Sequence, residues 1–211
     1  MEICELSPAS HEECVNRMVE SARRGELILF PTDTVYGIGG LAFSSSVMEK
    51  LQRVKPDRAS KPTAVLIDNI IRMSQCAGDV PGRNIVKLAE TFWPGPLTLV
   101  WKMSNAIPAA FQTADHSLGY RVPDHPFLLD VLRELESPIW ATSANLLGQL
   151  PPRIYTEVKE AVVSACDLVI KSQAFPQGKA SAVVDVRGRE PRMIRESVIE
   201  EYDIKRAWKS T

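Results

Sequence analysis

The chain has 211 residues, 45% of them hydrophobic, which is enough to bury one core and fits a single domain spanning 1–211. Its 25 basic and 26 acidic side chains nearly cancel, so the molecule as a whole has no electrostatic pull toward nucleic acid or anionic membrane. No apolar run nears the roughly 20 residues of a membrane span, and the start, Met1-Glu2-Ile3-Cys4-Glu5, lacks the basic and apolar regions of a secretory signal. A cytoplasmic location is expected. Cys4, Cys14, Cys76 and Cys166 show no CxxC spacing and no grouping with the three histidines, so they are expected to be reduced thiols, with no zinc site.

Ser10-His11-Glu12-Glu13 has the S-x-x-E form of a capping box, and Val15, Met18, Val19 and Ala22 recur at helical spacing up to a stop at Gly25. Leu27, Ile28, Leu29 and Phe30 form a short continuous apolar run ended by Pro31, the pattern of a strand buried on both faces, with a loop from Pro31 onward. A helix over 46–54, a strand over 63–67, a helix over 83–91 and strands over 97–101 and 118–122 follow. A helix over 127–135 and strands over 139–142, 167–170, 181–186 and 193–194 complete the pattern. Helices alternate with strands, and the late strands run consecutively, so an α/β fold with a mixed sheet is predicted.

Chemistry-bearing side chains gather where strands end. Pro31-Thr32-Asp33-Thr34-Val35-Tyr36-Gly37-Ile38-Gly39-Gly40 sets hydroxyls, a carboxylate and a phenol after a buried strand, where open α/β sheets bind ligands; an ordinary turn has the same composition. It is not a P-loop, and no GxGxxG opens a helix. Lys55-Pro56-Asp57-Arg58-Ala59-Ser60-Lys61-Pro62 concentrates three cations suited to phosphate oxygens, or to a solvated helix C-terminus. Trp93-Pro94-Gly95-Pro96-Leu97-Thr98 is a stiff turn whose expected role is structural. Arg121 falls inside a strand, which calls for either an anionic ligand or a buried acid as partner. Ser143-Ala144-Asn145 offers donors to phosphate or a helix N-cap. No Ser-His-Asp or Cys-His arrangement follows from the spacing, so no covalent nucleophile is expected.

In this order the segments resemble the YrdC-like family, the threonylcarbamoyl-AMP synthases, over about 6–195. The loop from Pro31 to Gly39 resembles the family's opening signature, and Lys55, Arg58, Lys61 and Pro62 its basic motif. The WPGPLT turn, Arg121-Val122-Pro123 and Ser143-Ala144-Asn145 complete the match. Three departures stand out. Asp57 occupies the place of the usual arginine, with Arg58 one position later; the late Ser-Thr pair is Ser181-Ala182; and the usual Arg-Pro-Gly is Arg195-Glu196-Ser197.

The resemblance implies a twisted mixed sheet flanked by helices, with a concave, positively lined cavity. It also implies that L-threonine, bicarbonate or CO2, and ATP are converted to threonylcarbamoyl-AMP and pyrophosphate for modification of tRNA adenosine. Carried onto this chain, it assigns Thr32, Thr34, Arg121 and Ser181 to threonine, and Lys55, Arg58, Lys61, Ser117, Ser143, Asn145 and Arg195 to ATP. Mg2+ would arrive with the nucleotide, and the product would pass to a downstream threonylcarbamoyl transferase. The extra C-terminal domain of longer relatives is not expected. The competing reading is an RNA-binding, ribosome-maturation module of the same fold without synthase activity. A carbamoyl-transfer domain and a divergent member lacking synthesis are further alternatives.

Overall fold

The computed structural model describes residues 1–56, 64–173 and 178–209. Ten strands form one sheet: β1 (Glu2–Leu6), β2 (Ile28–Phe30), β3 (Gly37–Leu41), β4 (Ala64–Leu66), β5 (Leu97–Lys102), β6 (Ser117–Arg121), β7 (Ile139–Ser143), β8 (Leu168–Ser172), β9 (Ala182–Asp185) and β10 (Arg192–Arg195). Their spatial order is β1-β8-β2-β3-β7-β4-β6-β5-β9-β10. The sheet is mixed as expected: β1/β8, β2/β8, β4/β6 and β5/β9 pair parallel and the remaining neighbours antiparallel. The helices are α1 (His11–Arg23), α2 (Ser45–Val54), α3 (Ile70–Ala77), α4 (Arg83–Phe92), α5 (Pro126–Leu135), the single turn α6 (Glu160–Val163) and α7 (Glu201–Lys209).

Strand alternation divides the interior into two cores. Leu29, Ile38, Val65, Leu99, Tyr120, Trp140 and Val169 point to one face, which α2, α3, α4 and α7 cover. Ile28, Phe30, Leu66, Ile139, Leu168 and Ile170 point to the other, where α1 and α5 pack. Each large apolar side chain buried this way contributes about 1.5–3 kcal/mol. On the second face, helices cover the β1-β8-β2 end, while β7, β4, β6, β5 and β9 expose a concave floor. One registered row crosses five strands with small residues: Gly39, Ala141, Ala64, Gly119 and Val100. Ala141, Ala64, Gly119 and Val100 of this row floor a hollow in the sheet surface.

Several expectations change. The segment 37–41 is strand β3 rather than loop; its glycines hid the strand because they meet a crowded neighbour, and a Cβ on Gly39 would lie 1.7 Å from the Trp140 carbonyl oxygen. Ser10 precedes α1, but its hydroxyl is taken by the β1 connection, donating to Glu5 O at 2.5 Å, so the capping box does not form. Gly25, at φ +68°, ends that helix region as expected. β1, α3, α6 and α7 were not foreseen. The expectation of reduced thiols fails for one pair: β1 and α1 bring Cys4 and Cys14 to a Cα separation of 6.0 Å and a disulfide joins them, whereas Cys76 and Cys166 are free.

Two predictions follow from these contacts. Gly39→Ala should lower the unfolding free energy by about 3 kcal/mol in urea titration, since the intruding methyl meets backbone rather than a movable side chain. Alkylation of the denatured, unreduced protein should label two cysteines, Cys76 and Cys166; labelling of four would show the Cys4–Cys14 bond to be absent.

Candidate active site

The hollow holds two adjoining cavities. The inner one, about 190 Å3, is floored by Ala64, Gly119, Ala141 and Val100 and walled by Thr32, Thr34, Thr98, Arg121, Ser143, Ser181 and Arg195. The outer one, about 960 Å3, is lined by Lys55, Asp115, Ser117, Ser143, Asn145, Arg187, Arg192 and Arg195 among others. Val100, Ser143, Val183 and Arg195 border both.

At the inner end Arg121 is held by three bonds from two loops. Its Nε donates to Gly95 O at 3.0 Å, Nη1 to Thr34 Oγ1 at 2.8 Å and Nη2 to Asp33 Oδ1 at 2.6 Å. Both side chains of the Arg121–Asp33 pair are under 10% exposed. The buried acid that the sequence left open as a partner is therefore present, and the guanidinium still faces the cavity. Of its five N–H groups, three are used by described residues, leaving one on each terminal nitrogen, the fork that suits a carboxylate. The WPGPLT turn is structural as expected, since its Gly95 supplies an acceptor for Arg121 and its Trp93 Nε1 donates to Leu97 O at 2.7 Å.

The loop after β2 is shaped by its own hydroxyls. Thr32 Oγ1 donates to Val35 O at 2.7 Å and accepts from the Thr34 and Val35 amides. Its proton is thus spent, so the 3.0 Å contact between the two threonine hydroxyls must run from Thr34 to Thr32. Thr34 in turn accepts from Arg121. Thr32 acts on the cavity by folding the loop, and Thr34 presents the remaining acceptor capacity.

At the junction, Ser181 Oγ lies 2.8 Å from Thr98 Oγ1, and Arg195 Nε donates to Ser181 O at 2.9 Å. Arg195 lies on the exposed strand β10, but its guanidinium turns inward. Partial burial, and second the like charge of Arg121, lower its pKa, so an anion placed between the two arginines is favoured. Lys55 Nζ donates to Ser143 O at 2.5 Å and to Asn145 Oδ1 at 3.3 Å, while Ser143 Oγ donates to Asn145 Oδ1 at 2.5 Å. The helix N-cap reading of Ser143 fails: it is the last residue of β7, and Asn145 Nδ2 closes the following turn onto Gln149 O at 2.7 Å.

The outer wall contains groups the sequence reading did not single out. Arg187 forks onto Asp185 through Nε at 2.9 Å and Nη2 at 2.8 Å, and its Nη1 donates to Asp115 Oδ2 at 2.7 Å. Arg192 Nη2 reaches Asp185 at 3.2 Å. Ser117 Oγ donates to Asp115 Oδ1 at 2.7 Å, so this hydroxyl faces a ligand as an acceptor. Mutual hydrogen bonding holds the Asp185 carboxyl well below the usual range and raises Arg187. Thr98, Arg187, Arg192 and Asp115 were missed because their meeting depends on β5, β6 and β9 lying side by side. The one available signal was Thr98, a polar residue in an apolar strand run. The lining is cationic in balance but includes Asp115. Arg58 and Lys61, assigned to ATP, lie outside the described residues. Among the described residues, no group of three or more His, Cys, Asp or Glu side chains is arranged to hold a metal.

Asp185 also sets a pH dependence. Its folded pKa is depressed, so its ion pairs stabilise the protein above the unfolded carboxylate value of about 3.9 and cease to do so as pH falls through the folded value. Asp185→Asn should cost about 2 kcal/mol at neutral pH. In denaturant titrations the gap from the parent protein should close on acidification.

Residues 20–197 match the family Sua5/YciO/YrdC, described as telomere recombination. A threonylcarbamoyl-AMP synthase of Pyrococcus abyssi is 31% identical over 173 residues, covering 82% of this chain and 51% of that protein. A putative threonylcarbamoyl-AMP synthase of Mycobacterium tuberculosis is 29% identical over 188 residues, covering 89% and 86%. The chain thus spans about half the length of the archaeal relative and most of the mycobacterial one. The crystal structure of P. abyssi Sua5 complexed with L-threonine superposes with a TM-score of 0.85 at 26% identity, covering 98% of this chain and 61% of that one. E. coli YciO shares the fold, with a TM-score of 0.84 at 22% identity over 96% of this chain and 98% of that one. With its matched residues spanning most of the sheet and both cavities, the chain belongs to the Sua5/YciO/YrdC family.

Proposed function

We propose that this protein forms threonylcarbamoyl-AMP and pyrophosphate from L-threonine, bicarbonate or CO2, and ATP. The observation that carries the reading is the pair of joined cavities: an amino-acid-sized hollow with a guanidinium fork at its end opens, past Ser143 and Arg195, into a nucleotide-sized cavity with further cations. The synthase relatives and the threonine complex of the Pyrococcus structure support the same substrate set.

In this reading the two uncommitted N–H groups of Arg121 take the threonine carboxylate, and Thr34 and the Ser181–Thr98 pair line the amino-acid hollow. The amine, once deprotonated, adds to CO2 to give a carbamate. A carbamate oxygen then attacks the α-phosphorus of ATP, and the bond to the β-phosphate oxygen breaks to release pyrophosphate. Ser143 and Arg195, bordering both cavities, are suited to the oxygens that gain charge in that step, and Lys55 and Asn145 to the phosphates beside them. Arg58 and Lys61 belong to the same proposed phosphate set. Mg2+ enters on the triphosphate as part of the substrate.

We place the reaction in the cytosol, with the adenylate passing to a tRNA-modifying transferase. No helix of the described residues is long and apolar enough to cross a membrane. A structural disulfide is uncommon in the cytosol, so the cysteine labelling above also bears on where the chain matures.

Purified protein with ATP and bicarbonate should release pyrophosphate only when L-threonine is present, with threonylcarbamoyl-adenylate identified by mass. Lys55→Ala and Arg195→Ala should each lower turnover by about 100-fold while leaving the melting temperature within a few degrees of the parent. Folded protein that releases no pyrophosphate, and binds RNA in a strongly salt-dependent way, would favour the RNA-binding module instead.

A further inference from the structure

Thr98 puts a buried hydroxyl into the face of β5 that lines the inner cavity. Its Oγ1 lies 2.8 Å from Ser181 Oγ and has no other hydrogen-bond partner among the described residues. Ser181 Oγ also accepts from Arg195 Nη2 at 3.4 Å, and Ser181 O accepts from Arg195 Nε at 2.9 Å, so that guanidinium stands beside the pair. The two hydroxyls carry two protons and share one between them. If Thr98 donates, Ser181 keeps its own proton and Thr98 keeps two lone pairs. If Ser181 donates, Thr98 keeps its proton and one lone pair. In either direction the pair offers the cavity one O–H and a free acceptor on Thr98.

The pair is also close to the carboxylate fork. Leu99 pairs with Tyr120, so Thr98 and Arg121 follow on neighbouring antiparallel strands with their side chains on the same face, and both line the cavity. Thr98 leans over β6, because a Cβ on Gly119 would lie 3.1 Å from its Cγ2. Adjacent strands are about 4.8 Å apart, so an amino acid whose carboxylate sits in the Arg121 fork brings its β-substituent within reach of the pair. An ammonium offers donors only and is repelled by Arg195, and a carboxylate offers acceptors only. An alcohol donates and accepts, as the pair does.

We propose that Thr98 is a specificity residue: together with Ser181 it binds the β-hydroxyl of the bound amino acid, so that the inner cavity selects β-hydroxy-α-amino acids. The assignment rests on the reading of that cavity as the threonine site. A ligand without the hydroxyl leaves a buried O–H and a buried acceptor unmet, and that cost, more than any lost contact, is what rejects it.

Calorimetric titration of the full chain with L-threonine and with L-2-aminobutyrate, which has the same carboxylate, amine and methyl but no hydroxyl, tests this, the weaker ligand being read by competition. The wild-type protein should bind threonine roughly 100-fold more tightly. Thr98→Val, which keeps the shape and removes the hydroxyl, should cut that preference by about tenfold, and Thr98→Ser, which keeps the hydroxyl, should retain most of it. A wild-type protein that binds the two ligands equally, or binds neither, would overturn the proposal. So would a Thr98→Val variant that loses the same affinity for both and keeps the preference, since a merely structural role predicts that pattern. Binding is read without turnover, so a protein that shows the preference and forms no threonylcarbamoyl-adenylate would sink the synthase reading and leave the specificity assignment standing.

Discussion

The site depends on keeping one guanidinium, that of Arg121, at the end of an interior strand. A buried arginine is tolerated only when its charge is paired and its donors are met. Here the carboxylate of Asp33, the hydroxyl of Thr34 and the carbonyl of Gly95 each take one bond, and they come from two separate loops. Two otherwise unrelated features follow from that need: the self-bonded hydroxyl turn after β2, and the rigid turn before β5. With those supports in place, the uncommitted N–H groups face a small hollow instead of water.

The hollow is a property of the sheet as much as of the loops. The row Ala141, Ala64, Gly119 and Val100 floors the inner cavity, where no helix among the described residues fills the space. On the same face, α1 and α5 fill the space over β8 and β2 with Phe127, Leu128, Val131 and Met18. Small residues at the middle strands and large ones toward the β1 end thus divide one sheet face into core and cavity. The outer cations are mostly bonded in advance, Arg187 and Arg192 to Asp185 and Lys55 to the turn after β7. Such preorganised charges need little rearrangement when phosphate oxygens arrive.

Local patterns were legible wherever burial followed one rule. The apolar runs of β2, β5 and β8 and the amphipathic spacing of α1, α2, α4 and α5 could be read directly, because each element is buried on a consistent face. β3 could not, since the glycines that let it approach Trp140 also resemble a turn. β1 was missed because its residues are mostly exposed, and the disulfide it makes with α1 depends on packing that no spacing of cysteines encodes. Thr32, Thr34, Arg121, Ser143, Ser181 and Arg195, which the family resemblance assigns to the substrates, line one cavity. Their separate tasks were hidden, because the direction of the Thr34 to Thr32 bond and the pairing of Arg121 with Asp33 require atoms from distant segments.

The sequence by itself determined the α/β class, the positions of most buried strands, and the small polar and basic motifs that follow them, because hydrophobic period and turn chemistry are local. The tertiary structure alone decided which motifs meet. Strand order sets β6 between β4 and β5 and brings β9 alongside β5, so that Arg121, Thr98, Ser181 and Arg195 converge from positions far apart in the chain. It also decided that, among the described residues, no helix fills the inner cavity on one face of the middle strands. That outcome depends on how the helices of the described residues share two faces, and no single segment carries it.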